Sequence, residues 1–320
     1  MSWKPTTSQE TREIRARMLH DIRAFFLARK VLEVETPALS QAGNTDPFIE
    51  SFQINNTSNL HNNRYLHTSP EYPMKRLLAD GSGDIYQICK VWRKGEAGSN
   101  HNPEFTMLEW YRVGFSYPQL MEEVAQLLKM LLPNVNKQHN IHTYEHLFIN
   151  AFGINPHNEN STALSRCVKK NIKGLDTANL NQQAMLDALL THCIEPDFNK
   201  DALTFIIDYP ENQSALAQLR SEENYKVAER FEVYLGKQEL GNGYQEEIGF
   251  KRNQDILSTE TNQRLQMQLT SIPQDQNFLD AAQAGIPKTS GVALGVDRIL
   301  MCRTNSNKIK DVINFPWEVA

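Results

Sequence analysis

The sequence lacks the features that mark several specialised classes of protein. Its 320 residues include only four cysteines, without Cys-x-x-Cys spacing, which argues against a disulfide framework or a zinc site. The 33 basic and 38 acidic residues nearly balance, so the whole molecule offers no strong field for nucleic acid. No apolar run approaches the roughly 20 residues that span a bilayer, and the N-terminus has no signal-peptide core. These absences predict a soluble, cytoplasmic protein that does not enter a membrane.

Apolar periodicity predicts helices and strands that do not alternate as repeated βαβ units. We therefore predict an α+β fold, a mostly antiparallel sheet flanked by helices. The expected organisation is a single domain over 1–320, with a partly helical insertion at about 144–200 and a loop over 133–143. The predicted helices cover 8–30, 117–132 and about 251–270, and the predicted strands lie within 31–37, 84–95, 101–112, 203–210 and 230–250. Two segments are predicted to contain a strand followed by a helix: 63–81, in which the helix ends at Gly81, and 291–301.

One strand carries a carboxylate where an apolar residue is expected. In "HNPEFTMLEWYR" (101–112), both alternating sets of side chains are largely apolar, which is typical of a buried strand. Glu109 lies in the middle of it. Burying a carboxylate costs several kcal/mol unless a charged or hydrogen-bonding group meets it. The sequence therefore predicts either a basic side chain or a ligand beside Glu109.

A second pair of carboxylates lies in "QELGNGYQEE" (238–247). Glu239 and Glu246 are seven residues apart, so an unbroken strand would place them on opposite faces. The glycines between them favour a β-bulge, which would bring both to one face. Two such carboxylates repel unless a cation lies between them, and Mg²⁺ with phosphate oxygens would suit that position. Two solvated surface glutamates explain the pattern about equally well.

Two arginines and a histidine pair are ambiguous by themselves. Arg298 follows a glycine-rich strand and Arg93 ends another, where a guanidinium fork could bind a phosphate or a base. Surface arginines are the more common explanation of each. His142 and His146 are four residues apart without the HExxH order, which favours a solvated helix face over a metal site.

The order of three segments resembles the signature motifs of class II aminoacyl-tRNA synthetases. The segments are "ARKVLEVETP" with Pro37, "VWRKGEAGSNHNPEFTMLEWY" and "GVALGVDRIL". Within that class, "SPEYPMKRLL" and "FEVYLGKQELGNGYQE" are similar to lysyl-tRNA synthetase. Motif 1 begins within the first 40 residues, so an anticodon-binding domain is not expected. A catalytic domain alone resembles the elongation factor P–(R)-β-lysine ligase family.

The resemblance implies a nucleotide site that holds ATP and Mg²⁺. Its two arginines, Arg93 and Arg298, would be catalytic: Arg93 would grip the α-phosphate, while Arg298 would stack on the base or hold the γ-phosphate. Glu239 and Glu246 would be the metal ligands. Glu96 follows Gly95, where the family usually has the motif 2 glutamate, so this adenine contact stays open. The other implied ATP contacts are Lys94, Gly95, Asn102, Glu239, the Leu240 backbone and Gly295.

The resemblance also implies a pocket for a diamino acid. Its two ammonium groups need carboxylates, which gives Glu109 a cationic or Mg²⁺-bound ligand to meet. Ala293 replaces the middle glycine usual in synthetase motif 3, and its methyl group would narrow the amino-acid pocket. A difference of this size is worth about 1–3 kcal/mol of discrimination between substrates. That change suits an amino group shifted along the chain. The implied pocket residues are Ser69, Pro70, Glu71, Glu109, Tyr111, Glu246 and Ala293.

The implied reaction activates (R)-β-lysine as an adenylate and transfers it to a lysine ε-amine of elongation factor P. The expected partners are elongation factor P and a second copy of the chain, because motif 1 builds a dimer interface in this class; stable tRNA binding is not expected. Three alternatives stay open: a truncated lysyl-tRNA synthetase, a ligase that uses a free amine acceptor, and a catalytically silent regulatory paralogue.

Overall fold

A computed structural model describes residues 3–54 and 63–320 of the chain. The chain forms two compact units, Met1–Ser116 with Glu247–Ala320, and Tyr117–Glu246. No helix in the described part of the chain is long and apolar enough to cross a membrane. The single domain over 1–320 stays a prediction.

Helices and mostly antiparallel strands confirm the predicted α+β class. The helices are α1 (Gln9–Ala28), α2 (Glu71–Ala79), α3 (Tyr117–Leu131), α4 (Tyr144–Phe152), α5 (Ser161–Asn171), α6 (Gln182–Leu189), α7 (Phe250–Gln266), α8 (Gln276–Ala284) and α9 (Val296–Thr304). The strands are β1 (Leu32–Glu33), β2 (Leu39–Ser40), β3 (Gln53–Ile54), β4 (Arg64–Leu66), β5 (Ile85–Trp92), β6 (Glu104–Val113), β7 (Asn140–Thr143), β8 (Leu203–Pro210), β9 (Leu219–Ser221), β10 (Lys226–Leu235), β11 (Gln238–Gln245) and β12 (Thr289–Gly295).

The first unit contains strands in the order β1-β5-β6-β12, antiparallel except for the β1–β5 pair. Helix α1 begins where the sequence predicts, because the Ser8 side chain accepts a hydrogen bond from the Thr11 amide. Its Phe26 ring stacks on Tyr86 at 4.3 Å and contacts Trp110 edge-on at 5.3 Å. Helix α1 therefore covers the face of β5 and β6 that carries Tyr86 and Trp110.

Strand β6 is buried on both faces, as its sequence predicts. Leu108 and Trp110 are fully enclosed, and Glu109 between them is only 3% exposed. Glu109 lies opposite Gln87 of β5 and opposite Ala293 of β12. Cross-strand neighbours project to the same face of a sheet, so these three side chains share the face away from Trp110.

The second unit contains strands in the order β11-β10-β8-β7, with β9 beside β10. The predicted loop over 133–143 is partly wrong, because Asn140–Thr143 forms β7 and pairs parallel with β8. This strand is short and polar, and its partner lies some 60 residues further along the chain, so no local pattern indicates it. Helices α4, α5 and α6 confirm helical structure within 144–200, and their apolar side chains share a buried cluster with residues of β8 and β10.

The β10–β11 hairpin confirms two predictions from sequence. Gly236 has φ +53° and begins the two-residue turn that pairs Leu235 with Gln238. Tyr234 pairs with Glu239, whereas Val233 pairs with Gly241, so Leu240 is an extra residue in β11. The predicted bulge therefore lies between Glu239 and Glu246, immediately before the glycines.

Helix α7 carries the buried Arg264 and the half-buried Glu260, two ionisable side chains that bond outside the helix. Arg264 is 1% exposed; it donates to Glu50 Oε2 at 2.7 Å and to the Thr270 carbonyl at 3.1 Å. Thr45 Oγ1 donates to Glu260 Oε2 at 2.5 Å. Burial raises the pKa of Glu260 to about 8, and the nearby acidic groups act in the same direction. These two residues tie α7 to the segment around 45–50.

Replacing Arg264 should destabilise the protein strongly. An Arg264→Met substitution leaves buried oxygens without their donor, so we expect the free energy of unfolding to fall by about 3–5 kcal/mol in a denaturant titration. The matched control is Lys251→Met, which removes the exposed ion pair with Asp255 on the same helix and should cost about 0.5 kcal/mol or less. Equal losses in the two variants would contradict the role assigned to Arg264.

Glu260 should make stability depend on pH. Its pKa is about 8 in the folded chain, against an ordinary value of 4.5, so between these values folding takes up a proton. This stabilising contribution is complete below pH 4.5 and is lost as the pH rises through about 8. Denaturant titrations across this range should therefore show a shallower decline for Glu260→Gln than for the unmodified chain. Parallel declines would show that Glu260 does not retain its proton on folding.

Candidate active site

The Glu109 carboxylate is held by two hydroxyl groups. Ser69 Oγ donates to Glu109 Oε2 at 2.8 Å, and the Tyr111 hydroxyl donates to Glu109 Oε1 at 2.6 Å. Hydrogen bonds to an ionised acceptor are strong and offset much of the cost of burying it. The sequence predicts a basic side chain or a ligand beside Glu109. The structure shows two neutral donors there, which that prediction did not include.

Ser69 also fixes the start of α2. Its Oγ accepts a hydrogen bond from the Glu71 amide at 3.0 Å, and Pro70 occupies the cap position of the helix. The Glu71 carboxylate accepts from Lys75 Nζ at 2.7 Å, one helical turn later. Ser69 thereby connects Glu109 to Glu71, two of the carboxylates predicted for the substrate pocket.

Small residues of β12 lie opposite the acidic face of β6. Ala293 pairs with Glu109, and Gly291 pairs with Tyr111. The neighbouring β5 position is Gln87, whose Oε1 accepts from Thr36 Oγ1 at 3.0 Å. Because Ala293 and Gly291 fill little space, this face can leave room for a ligand beside the carboxylate.

Arg93 lies where β5 ends and is fixed at several points. Its amide donates to the Pro103 carbonyl at 2.9 Å, and its Nε donates to the Thr68 carbonyl at 3.4 Å. The guanidinium lies 5.3 Å from the Phe105 ring and 3.8 Å from the Glu96 carboxylate. Glu96 therefore accompanies the arginine although it is displaced by one position from the usual place in motif 2.

The loop after Arg93 folds back on the same unit. The Lys94 amide donates to the Glu50 carbonyl at 2.8 Å, and Gly95 has φ +86°, which favours glycine. Asn102, at the other end of the loop, is 6% exposed. Its amide group donates to the Glu104 carbonyl at 2.6 Å and accepts from the Trp317 amide at 2.9 Å. The Asn102 side chain thus orders the backbone of the loop.

Arg298 lies in the first turn of α9, directly after β12. The preceding Asp297 accepts from the Thr106 amide at 2.6 Å, which fixes the start of the helix against β6. Arg298 donates to His101 Nε2 at 2.7 Å. A Cβ added at Gly295 would lie 3.6 Å from the Arg298 side chain, an ordinary contact, so packing within the protein does not require glycine there.

Glu239, Leu240 and Glu246 belong to the second unit. The bulge at Leu240 lies between the two glutamates, so Glu246 follows Glu239 by six regular strand steps, an even number that favours one face. Glu246 is 1% exposed and bridges to Ala217. Glu239 is half-buried opposite Tyr234.

Negative charge accumulates around Glu239 within the second unit. Burial, together with repulsion from Glu232 and Glu239, raises the pKa of Glu195 to about 7. The Tyr234 hydroxyl donates to Glu232, and Tyr209 donates to Glu232 at 2.7 Å. The Arg230 guanidinium donates to Glu232, so part of this negative charge is already balanced within the protein. Among the described residues, no group of three or more His, Cys, Asp and Glu side chains is placed to hold a metal ion without other ligands.

The structure brings Ser69, Glu71, Glu109, Tyr111 and Ala293 together within the first unit. Their convergence with Glu239 and Glu246 stays a prediction. Sequence analysis overlooked Lys75 and the Trp317 contact to Asn102. Lys75 could have been found from its i,i+4 spacing to Glu71, whereas no sequence pattern signals the contact with Trp317.

Comparison with known proteins identifies the family of the chain. Residues 1–319 match the model of the family "tRNA synthetases class II (D, K and N)". Relatives named elongation factor P–(R)-β-lysine ligase are 38% identical in Buchnera aphidicola subsp. Schizaphis graminum, over 99% of this chain and 98% of the relative, and 41% identical in Salmonella gallinarum, over 100% and 98%. The chain therefore belongs to the class II tRNA synthetase family and, within it, to the elongation factor P–(R)-β-lysine ligases.

Proposed function

We propose that the chain activates (R)-β-lysine with ATP and transfers it to a lysine ε-amine of elongation factor P. It is an ATP-dependent ligase, as its family membership indicates. The observation that carries the choice of substrate is Ala293 directly opposite Glu109, whose carboxylate Ser69 and Tyr111 hold. The Glu109 carboxylate would attract an ammonium group of the substrate. The Ala293 methyl group would narrow the pocket beside it.

In the first step, the carboxylate of the amino acid attacks the α-phosphorus of ATP. The bond to the β-phosphate breaks, pyrophosphate leaves and an aminoacyl-adenylate remains. Arg93 and Arg298 would offset the negative charge that develops on the phosphate oxygens, so positioning and electrostatics would do most of the catalysis. Lys94, Gly95 and Asn102 would contact the nucleotide. Asn102 would do so through its backbone, because its side chain already bonds within the protein. Leu240 and Gly295 would contribute further backbone contacts.

Glu239 and Glu246 would hold Mg²⁺ together with phosphate oxygens of ATP. The predicted placement of both carboxylates on one face would suit a cation that is usually bound by one or two carboxylates, waters and substrate phosphates. When bound, the ion would neutralise charge on the phosphates.

In the second step, the ε-amine of the acceptor lysine attacks the acyl carbon. An amide bond forms, the bond to the phosphate oxygen breaks and AMP leaves. A free lysine has a pKa of about 10.4, so its ammonium must lose a proton before attack. The phosphate of the departing AMP is a chemically suitable acceptor for that proton.

A homodimer and a cytoplasmic location complete the proposal. Motif 1 builds a dimer interface in the class that the chain resembles.

The decisive experiment is mass spectrometry of elongation factor P after incubation with this protein, ATP and each lysine isomer. A mass gain equal to one lysine residue with (R)-β-lysine, located on a lysine side chain, is the expected result. Modification of tRNA in place of elongation factor P would favour the synthetase alternative, and absence of any product or pyrophosphate exchange would favour the silent paralogue.

Removing either arginine should suppress adenylate formation. We expect Arg93→Ala and Arg298→Ala each to slow ATP–pyrophosphate exchange by about 10²-fold or more, because each guanidinium would stabilise charge on the reacting phosphates. Arg166→Ala, on the exposed face of α5, is the matched control and should retain exchange. Full exchange in both active-site variants would remove these arginines from the mechanism.

Replacing Ala293 with glycine should broaden the choice of amino acid. The lost methyl group lies opposite Glu109, so the ratio of kcat/KM for (R)-β-lysine over α-lysine should fall by about tenfold. Ala228→Gly in β10 is a control for the general cost of glycine in a strand, and its ratio should not change. An unchanged ratio in Ala293→Gly would show that the methyl group does not determine selectivity.

A further inference from the structure

Lys75 is a cation without exposure to solvent. It lies in α2 and its side chain is 0% exposed, although lysine is almost never fully buried unless it is paired. Burying an ammonium group is expensive, so its retention inside the protein needs compensating contacts. The mechanism above assigns no step to this residue.

Lys75 is held between a carboxylate and an aromatic ring. Its Nζ donates to Glu71 Oε1 at 2.7 Å and lies 5.7 Å from the centre of the Phe278 ring. Phe278 is fully buried in α8, and the Tyr72 ring stacks on it at 4.7 Å with an angle of 9° between the rings. The Lys75 ammonium group therefore has a defined position between the Glu71 carboxylate and the Phe278 ring.

Some groups of Glu71 bond within the protein, whereas its Oε2 is available to a ligand under the proposed function. Its backbone amide is fixed by Ser69 Oγ, and its Oε1 is engaged by Lys75. Its side chain remains 24% exposed, and no described residue donates a hydrogen bond to its Oε2. Because Ser69 also donates to Glu109, the backbone of Glu71 is fixed relative to the second carboxylate of the same unit, and Lys75 fixes its Oε1.

We propose that Lys75 is a positioning residue that turns Glu71 Oε1 inward and presents Oε2 to one ammonium group of the diamino acid. The inference rests on the proposed function, in which Glu71 lines the substrate pocket. Isomers of lysine differ in the position of one amino group by one carbon–carbon bond. A carboxylate restricted to one orientation can discriminate between such isomers, whereas a carboxylate free to rotate can adapt to both.

A double-mutant cycle tests this coupling. KM and kcat for (R)-β-lysine and α-lysine are measured by ATP–pyrophosphate exchange in Lys75→Met, Glu71→Gln and the double variant. Lys75→Met alone should raise KM for (R)-β-lysine by about tenfold, with a smaller change in kcat, and should reduce the preference between isomers. In the Glu71→Gln background, the same substitution should change KM by no more than about twofold, because the carboxylate through which Lys75 acts is already absent.

Two further variants separate positioning from folding. Lys75→Arg retains a cation and should keep KM within a few-fold of the unmodified value. Arg76→Met replaces the exposed neighbour on the same helix and should leave both constants unchanged. Thermal unfolding of every variant shows whether a change in KM accompanies loss of the fold.

The outcomes distinguish the inference from the function on which it rests. An unmodified protein that neither binds nor activates any lysine isomer, tested by calorimetry and by exchange, would overturn the proposed function and the role of Lys75 with it. Normal activity with an unchanged KM in Lys75→Met would overturn the inference alone. So would equal KM increases for Lys75→Met in both backgrounds, since these would indicate a general structural contribution.

Discussion

The carboxyl group buried in the middle of β6 constrains the rest of the first unit. Glu109 needs hydrogen-bond donors on both carboxylate oxygens, and Ser69 and Tyr111 supply them. Tyr111 is two residues away on the same face, so the strand itself provides one donor. Ser69 comes from another segment, which fixes the start of α2 against the sheet. The neighbouring position on β12 is occupied by a small residue, Ala293.

The two faces of the sheet in this unit carry different kinds of side chain. On one face, Trp110 contacts Phe26 of α1 in a closely packed aromatic core. On the opposite face lie Glu109 and Ala293, the two residues of this pair of strands that are predicted to line a substrate pocket. Alternation along β6 thus lets one strand contribute to both, and the sequence shows this division as a carboxylate within an apolar run.

Local signals were sufficient to predict the parts of the fold that local chemistry determines. The Ser8 cap, the turn at Gly236 and the bulge beside the Gly241 segment all follow from side chains within a few residues. Strand β7 and the contact of Trp317 with Asn102 depend on partners distant in sequence. The site residues were predicted through a family resemblance, because isolated glutamates and arginines are ambiguous in a single sequence.

The two carboxylates of the first unit are held by chemically different partners, which bears on how a diamine would be recognised. The hydroxyl groups of Ser69 and Tyr111 hold Glu109, and neither of these two groups carries a charge that would balance a carboxylate. A buried ammonium holds Glu71, so much of its charge is already balanced. Under the proposed function, attraction at Glu109 would supply affinity, and the fixed geometry at Glu71 would supply selectivity. Two equally charged carboxylates would attract both amino groups strongly but would distinguish poorly between their positions.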